Sequence, residues 1–376
     1  MTRVCVVGAG AVGGLIGARL AASGCTTAAL ARGRTLDALR THGWRLRTAG
    51  GVIGGPVTAS DDPSALGPQD VVLLTVKAHA LPALAPTLAP LLGPRTTVVP
   101  AINGVPWWFF DGAGGEFDGL RLRAVDPDGT VAAAIPTARV VGCVVHLSAS
   151  VEEPGLARHH AGDSLILGEP AGGTSGRLEA LAAVVGEAGF NVTVSTRIQQ
   201  DIWYKLWGNM TMNPISALTG ATADRILDDE LVNGFVRAVM GEAAAIGERI
   251  GCPIAQSAED RNQVTRRLGA FRTSMLQDAE AGRPLELDAM VTVVREIAQA
   301  TGTPTPHMDA LLGLTRLNAR VRGLYPRDLD SAPTPHDPRQ RCRAGRGCRR
   351  SGATASGGPR PRSHPPEREP FLSRPP

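Results

Sequence analysis

The N-terminal stretch Val4-Cys5-Val6-Val7-Gly8-Ala9-Gly10-Ala11-Val12-Gly13 decides the fold. Four apolar residues of strand character lead directly into a Gly-x-Gly-x-x-Gly pattern, and a helical pattern over 13–23 follows it. In this context the first glycine permits a tight turn, the second lets a pyrophosphate approach the backbone, and the third lets the helix pack closely on the strand. The helix N-terminus offers free N–H groups and a positive dipole to phosphates. We therefore predict a βαβ unit that binds a dinucleotide through Gly8, Ala9, Gly10, Ala11, Val12 and Gly13.

The residues after the second predicted strand indicate which dinucleotide is bound. Proteins that bind NAD usually carry Asp or Glu about 20 residues after the glycines, where it binds the ribose 2′-OH. Here the strand over 27–31 is followed by Arg32-Gly33-Arg34, and the first acid is Asp37. A guanidinium binds a 2′-phosphate through paired, charge-assisted hydrogen bonds, whereas a carboxylate repels it. We predict NADPH as the cofactor, with Arg32 as the first candidate for the 2′-phosphate and Arg34 as the second; the alternative is that either arginine is only solvated.

The first half of the chain alternates short apolar runs with helical patterns. Strand-like runs occupy residues 4–7, 27–31, 71–76, 97–102, 140–147, 164–167 and 191–195, and helical patterns occupy 13–23, 81–92 and 177–187. Strands that alternate with helices favour a parallel sheet covered on both faces. From about residue 198 helical patterns dominate, as at 231–250 and 285–300. We predict an α/β protein with a Rossmann-type, doubly wound domain over 1–196 and an all-α domain over 197–325.

The last 46 residues differ in composition from the rest of the chain. They hold ten Arg, no Lys and three acids, a local charge of +7, so residues 1–330 carry −3 of the total of +4. The folded body therefore gives no reason to expect nucleic-acid binding. The same segment contains ten Pro, and its large apolar residues are Phe371 and Leu372. Such a segment cannot bury enough apolar surface to offset chain entropy, so we predict a disordered Pro/Arg-rich tail over 331–376.

Other features of the sequence bear on location and on metal binding. No apolar run approaches the roughly 18–20 residues that span a bilayer, and the N-terminus shows no secretory signal pattern. The six cysteines form no CxxC and no framework spacing. The histidines have no partner at ligand spacing. We expect a cytoplasmic protein with no membrane segment and no metal; the sequence does not fix the oligomeric state, and a homodimer is one candidate.

A helical segment early in the second half carries the strongest chemical signal. Lys205, Asn209 and Asn213 are spaced four residues apart, which places them on one face of a helix. Their neighbours are mostly apolar, and such surroundings penalise a lysine and two amides unless each is satisfied. Reduction of a carbonyl by hydride needs a proton donor and groups that hold the substrate, and this face supplies both. The alternative is a lysine that reaches solvent beside two structural amides. Pro214 is expected to disturb the helix just after Asn213.

Four further polar residues stand at positions where a cleft is expected. Lys77 and Asn103 each follow an apolar strand, where the carboxyl-end loops of a parallel sheet face the crevice. Ser274 precedes a Met-Leu-Gln-Asp run, and Glu286 follows the Gly-Arg-Pro turn at 282–284. Each residue alone is more often a helix cap or a surface group than a catalytic one. Their significance therefore depends on the combination.

In combination, these motifs resemble the ketopantoate reductase family (2-dehydropantoate 2-reductase) over roughly residues 3–320. The resemblance rests on the glycine turn, Arg32, Val76-Lys77-Ala78, Asn103-Gly104, the Lys205–Asn209–Asn213-Pro214 helix, Ser274-Met275-Leu276-Gln277-Asp278 and Glu286-Leu287-Asp288. It implies a C-terminal helical bundle of the 6-phosphogluconate dehydrogenase type. It also implies NADPH-dependent reduction of 2-dehydropantoate to (R)-pantoate, in the synthesis of pantothenate and coenzyme A.

The resemblance further implies a role for each substrate-side residue. Lys205 would protonate the C2 oxygen as hydride arrives, and Glu286 would hold and tune that lysine and contact the substrate. Ser274 would bind the carboxylate end of the substrate. Asn209 and Asn213 would position its hydroxyl and carbonyl groups.

On the cofactor side, the resemblance places Asn103 between the nicotinamide and the substrate, and Lys77 near the cofactor. Three departures from the family pattern concern the substrate. Ala223 stands where some members have a further Asn, residues 289–292 read Ala-Met-Val-Thr instead of Ala-Ile-Asn-Gly, and the segment 105–127 is longer than in compact members. We expect that longer segment, with its Trp-Trp-Phe-Phe run, to lie near the cleft and to affect substrate access.

Three alternatives to this reading stay open. The first is a paralogous NADPH-dependent reductase of another small 2-keto acid. The second is a different dehydrogenase of the 3-hydroxyacid or 6-phosphogluconate type, against which Ser274 and Glu286 together weigh. The third is a non-catalytic, NADPH-sensing protein, which would have no need of the pair Lys205 and Glu286.

Overall fold

Strands dominate the chain up to residue 195, and helices dominate after it. The computed structural model describes residues 2–326, and the tail predicted to be disordered from residue 331 lies outside them. The strands in this part are β1 (Arg3–Val7), β2 (Thr26–Leu30), β3 (Trp44–Thr48), β4 (Gly51–Gly55), β5 (Thr58–Ser60), β6 (Gln69–Leu74), β7 (Leu92–Pro100), β8 (Gly142–Glu153), β9 (Leu156–Gly168) and β10 (Asn191–Ser195). The helices are α1 (Ala11–Ala22), α2 (Gly33–His42), α3 (Pro63–Leu66), α4 (Leu81–Leu84), α5 (Thr130–Ala134), α6 (Gly176–Glu187), α7 (Ile198–Thr219), α8 (Ala223–Asp228), α9 (Glu230–Arg249), α10 (Ala258–Arg266), α11 (Ser274–Glu280), α12 (Val293–Thr301) and α13 (Pro306–Val321). Short 3-10 helices occupy Ala78–Ala80, Ala85–Leu91 and Thr137–Arg139, and a π-helical segment occupies Asp288–Thr292.

The first sheet is parallel throughout, with the strand order β5-β2-β1-β6-β7. Its central strand, β1, is buried from Val4 to Val7. Cys5 and Val7 belong to one apolar cluster and Val4 and Val6 to another, as expected for a strand covered on both faces. The carboxyl ends of β1, β6 and β7 lie side by side, so the residues that follow these strands meet at one edge. These features confirm the predicted α/β class and Rossmann-type sheet.

Strands β3, β4, β8, β9 and β10 form a second, mixed sheet, so the prediction of one doubly wound sheet is incomplete. β9 pairs in parallel with β3 and β10 and antiparallel with β8. The β3–β4 hairpin was not predicted, because β4 reads Gly-Val-Ile-Gly-Gly and lacks a continuous apolar face. In β3, Trp44 and Leu46 are buried and alternate with arginines, which is the period-2 signal of a half-buried strand. Trp44 fixes the hairpin to the first sheet, because its Nε1 donates to Thr27 Oγ1 at 3.0 Å.

Helix α7 is the most buried element of the second half. Fifteen of its residues are buried, among them Trp203, Trp207 and Met210, and α9, α11 and α13 pack against it. The prediction that Pro214 disturbs this helix just after Asn213 is wrong, since α7 continues through Pro214 to Thr219. Proline removes one helical hydrogen bond, and we attribute the continuity of the helix to the packing of the buried residues on both sides. Gly220, with φ +76°, ends the helix in the left-handed region.

The Trp-Trp-Phe-Phe run after β7 is part of the core. Trp107, Trp108, Phe109 and Phe110 are all at most 6% exposed. The Phe109 ring lies 6.3 Å from the ring of Trp203 in α7. The expectation that the segment lies near the cleft is confirmed for Trp107, which lines one pocket together with Asn103, Gly104 and Val125. The side chains of Trp108, Phe109 and Phe110 pack into the core, and an effect of the segment on substrate access stays a prediction.

The described residues 2–326 belong to one compact unit. The change from strands to helices falls between β10 and α7, and we keep the boundary at 196/197 as a proposal. In the part of the chain that the structure describes, no helix is both long and apolar enough to cross a membrane.

Candidate active site

The turn between β1 and α1 has the shape that the glycine pattern predicted. Gly8 has φ +97°, and a Cβ there would lie 2.7 Å from Val76 Cγ1. A Cβ on Gly13 would lie 2.2 Å from the Gly8 carbonyl oxygen, so the helix touches the turn at this point. A Cβ on Gly10, in contrast, would meet no atom within 4 Å. Two of the three glycines are thus required by the protein itself, whereas Gly10 faces open space.

The N-terminus of α1 is open in the way that a phosphate-binding helix requires. Gly10 is its N-cap, no side chain accepts a hydrogen bond from the first turn, and no acid lies there. The free N–H groups and the positive end of the helix dipole therefore face the same open space as Gly10. This fits a dinucleotide pyrophosphate, and it supports the prediction that residues 8–13 contact the cofactor.

Arg32 and Arg34 lie beyond β2, at the same end of the sheet as the glycine turn. Arg32 is the N-cap of α2 and is exposed, as is Arg34. Within residues 2–326 neither guanidinium forms an ion pair with a carboxylate. Gly8 N donates to Leu30 O at 3.1 Å, so the end of β2 is fixed next to the turn. Both arginines are therefore available to an anion at this edge.

Lys77 connects the first sheet to the helical half of the chain. Its Nζ lies 2.6 Å from Asp278 Oδ2 and 3.0 Å from Glu286 Oε2. The second oxygen of Glu286 accepts from the backbone N–H of Ala78 at 2.8 Å, and Arg283 binds the other oxygen of Asp278. Burial opposes the charge on Lys77, but the two carboxylates outweigh it, so the pKa of Lys77 lies above its ordinary value. Lys77 is thus held in its protonated form.

Lys205 lies in a different environment. Its Nζ donates to Asn103 Oδ1 at 2.8 Å and to the backbone carbonyl of Val145 at 2.6 Å. Burial lowers the pKa of Lys205 from 10.5 to about 8, against the opposing influence of Cys143 and Glu286. Both acceptors are neutral, so no ion pair holds the proton on Lys205. Of the two lysines at the site, Lys205 is the one that can give up a proton near neutral pH.

Glu286 does not bind Lys205, which corrects one role that the resemblance implied. The glutamate is 6% exposed and both its oxygens are engaged by Lys77 and the Ala78 N–H. Its action on Lys205 is electrostatic and raises the pKa of that lysine. The direct partners of Lys205 are the Val145 carbonyl and Asn103, which the resemblance placed between cofactor and substrate.

The remaining predicted residues are distributed around the same helix, α7. Asn213 is buried, and its Nδ2 approaches Met290 Sδ at 3.5 Å. The amide of Asn209, one turn closer to Lys205, forms no hydrogen bond to another residue of the described part. Ser274 is exposed at the start of α11, next to Thr273, whose hydroxyl bonds Ser216 Oγ of α7 at 2.5 Å. Lys205, Asn209 and Asn213 thus lie on α7, and Asn103 contacts Lys205 from the loop after β7. No direct contact within the described residues joins Ser274 to them.

A π-helical segment fixes the loop that carries Asn103. Within Asp288–Thr292 the carbonyl of Ala289 accepts from Val105 N at 2.9 Å. A Cβ on Gly104 would lie 2.1 Å from that oxygen, so only glycine fits there. π-Segments are frequent at functional sites. Here the wide turn places the residues after Glu286 against the loop that holds the partner of Lys205.

The sequence analysis missed two contributors to the site. They are the Val145 carbonyl, which lies inside a strand, and Asp278, which was part of a motif without a role. Backbone carbonyls leave no signal in the sequence, and a carboxylate partner for Lys77 two hundred residues away has no periodicity to reveal it. Among the described residues no cluster of three His, Cys, Asp or Glu could hold a metal ion.

Comparison with known proteins places this geometry in a family. The family models described as ketopantoate reductase PanE/ApbA and its C-terminal part match residues 4–172 and 197–319. A 2-dehydropantoate 2-reductase of Mesorhizobium japonicum is 44% identical over 324 residues, which is 86% of this chain and 99% of that protein. One from Mycobacterium tuberculosis is 30% identical over 320 residues, with coverages of 83% and 96%. A crystal structure described as a ketopantoate reductase from Ralstonia solanacearum MolK2 is 61% identical with a TM-score of 0.83, and the match covers 86% of this chain and all of that one. The chain therefore belongs to the ketopantoate reductase family.

Proposed function

We propose that this oxidoreductase reduces 2-dehydropantoate to (R)-pantoate with NADPH, in pantothenate and coenzyme A biosynthesis. The single observation that carries the proposal is Lys205: its amine lies against Asn103 with a pKa lowered to about 8 by burial. An amine of this kind is protonated at neutral pH and able to release its proton. The named activity of the Mesorhizobium japonicum relative supports the choice of substrate.

We assign the residues of the site to proton delivery and to substrate binding. Lys205 carries the proton that its Nζ delivers to the C2 oxygen of the substrate. Asn103 and the Val145 carbonyl fix the direction of that amine, since each accepts one of its hydrogen bonds. Asn209 and Asn213 present amides along the same face of α7 for the hydroxyl and carbonyl groups of the substrate, and Ser274 offers a hydroxyl to its carboxylate.

The cofactor would be held at the carboxyl edge of the first sheet. When bound, the reduced nicotinamide supplies the hydride that adds to C2. The open N-terminus of α1 and Gly10 fit the pyrophosphate, and Arg32, with Arg34 as the second candidate, fits a 2′-phosphate. Lys77 stays charged beside Glu286 and would contact the cofactor from the loop after β6. The products are a 2-hydroxy acid and NADP⁺, and Lys205 regains its proton from solvent.

The test is the oxidation of NADPH, followed at 340 nm, with 2-dehydropantoate and a panel of other 2-keto acids. We expect the highest kcat/KM with 2-dehydropantoate. A higher value with another 2-keto acid would identify a paralogous reductase instead, and tight NADPH binding without turnover of any keto acid would favour a sensing protein. The homodimer, one candidate for the oligomeric state, is checked separately by light scattering on the purified chain.

A further inference from the structure

Helix α10 presents one arginine to α7 beside the active-site face. The guanidinium of Arg261 lies over Gly208: a Cβ on that glycine would be 3.0 Å from Nη2 and 3.4 Å from both Cζ and Nε. Nearly equal distances to three atoms of the planar group mean that the guanidinium lies flat on the helix. The Cζ atom of Arg261 also lies 5.6 Å from the centroid of the Tyr204 ring, and its Nη1 donates to Thr265 Oγ1 at 3.4 Å. The position of the cation is therefore fixed by packing.

No carboxylate of the described residues pairs with Arg261. The acids nearest in sequence are engaged elsewhere: Glu259 binds Arg237 and Gln263, and Asp260 binds the Ser257 hydroxyl. The Nε of Arg261 is buried and has no hydrogen-bond partner. A guanidinium without a counter-ion carries an energetic cost that an anionic ligand at its terminal nitrogens would reduce.

The free cation acts on the same region as Lys205. Gly208 lies three residues after Lys205 on α7, so the two positions share a face of the helix. Partial burial, with added repulsion from Lys205 and Arg261, lowers the pKa of His146 to about 4. His146 directly follows Val145, whose carbonyl binds the Lys205 amine. Lys205 and Arg261, neither of which has a carboxylate partner among the described residues, thus both lie close enough to His146 to oppose its positive charge.

We propose that Arg261 binds the carboxylate of the 2-keto acid substrate and selects for substrates that carry this charge. A guanidinium matches a carboxylate through two parallel hydrogen bonds. We assign these bonds to the terminal nitrogens Nη1 and Nη2 of Arg261, because its Nε is buried. The inference rests on the proposed function and adds a charged ligand where the family resemblance assigned only the neutral hydroxyl of Ser274.

The experiment compares 2-dehydropantoate with 2-dehydropantolactone, its neutral ring ester, as substrates of the same enzyme at pH 7. We expect Arg261→Gln to raise the KM for the acid about 10- to 100-fold, the usual worth of a charge-assisted hydrogen bond. The KM for the lactone should change by less than about twofold, because the lactone offers no carboxylate. Arg261→Lys should fall between the wild type and Arg261→Gln. Arg267→Gln, at the exposed residue that follows α10, should behave as the wild type.

Because the acid-to-lactone ratio is measured on one preparation, it does not depend on how much of a variant is folded. An unchanged ratio in Arg261→Gln would overturn the inference, whether both substrates suffer or neither does. If the wild type does not turn over 2-dehydropantoate, the proposed function fails, and Arg261 is then tested by calorimetric titration of the NADPH complex with oxamate. A tenfold weaker oxamate affinity in Arg261→Gln supports the carboxylate site; equal affinities, or no binding by the wild type, overturn it.

Discussion

Raising the pH above 8 should lower the kcat/KM of the reductase, because Lys205 loses its proton. Burial lowers the pKa of this amine to about 8, so about nine-tenths of the enzyme is protonated at pH 7. Each further pH unit above 8 removes about nine-tenths of what remains. We therefore expect kcat/KM for the keto acid to fall to roughly a tenth at pH 9 and a hundredth at pH 10.

Two variants assign this decline to its residue. Lys205→Ala should lower kcat by roughly 10²–10⁴ and remove the alkaline decline, because the group that titrates is gone. Lys77→Met should slow the enzyme but keep the decline, since the carboxylates of Glu286 and Asp278 raise the pKa of Lys77 above its ordinary value. It thus keeps its proton through this pH range.

The assay is the initial rate of NADPH oxidation at subsaturating keto acid between pH 6 and 10. NADPH affinity and the melting temperature are recorded at each pH, so that loss of cofactor or of fold is not mistaken for loss of the proton. A flat profile to pH 10 would refute the role of Lys205 as the acid. So would an alkaline decline that persists in Lys205→Ala.

Further predictions follow from the cofactor edge and the core. Gly10→Val should leave the melting temperature almost unchanged, because its side chain enters open space, yet it should weaken NADPH binding by steric exclusion; unchanged binding in a fluorescence titration would contradict the pyrophosphate position. Gly13→Ala should lower the free energy of unfolding by about 1–3 kcal/mol, because its Cβ would lie 2.2 Å from the Gly8 oxygen; a denaturant melt equal to the wild type would count against that contact. Arg32→Gln should weaken NADPH roughly 10- to 100-fold and NADH hardly at all, and equal losses would exclude 2′-phosphate recognition by this residue. Phe109→Ala should lower the free energy of unfolding by about 3–5 kcal/mol, while the KM of the folded variant stays constant. A raised KM with normal stability would show that Phe109 acts on substrate access instead.

Local signals in the sequence were sufficient for the first sheet and the cofactor turn. Gly8 and Gly13 are needed because backbone and side chains crowd them, and Gly10 faces open space, as the pattern of three glycines indicated. Periodicity also located α7, whose buried neighbours fix one face. These features depend on residues close in sequence, so a pattern reveals them.

Partners far apart in the chain could not be predicted in the same way. Glu286 was expected to hold Lys205, but its oxygens bind Lys77 and the backbone N–H that follows it. Both lysines lie at the site, and only the geometry of the folded chain decides which one a carboxylate reaches. The β3–β4 hairpin was missed for a different reason, because the glycines of β4 remove the alternation on which strand prediction relies.

The aromatic run after β7 bears on how the chain can be divided in the laboratory. The Phe109 ring faces Trp203, and Trp108 and Ile198 of α7 meet at the same point above Gly142. Each aromatic side chain covers about 150–250 Å². A fragment that stops at residue 196 would therefore uncover part of the roughly 300–500 Å² that these two side chains bury, and so create a new apolar patch on its surface. We expect such a fragment to aggregate on expression, although it holds the whole glycine turn, and to become soluble when residues 197–326 are supplied as a second chain.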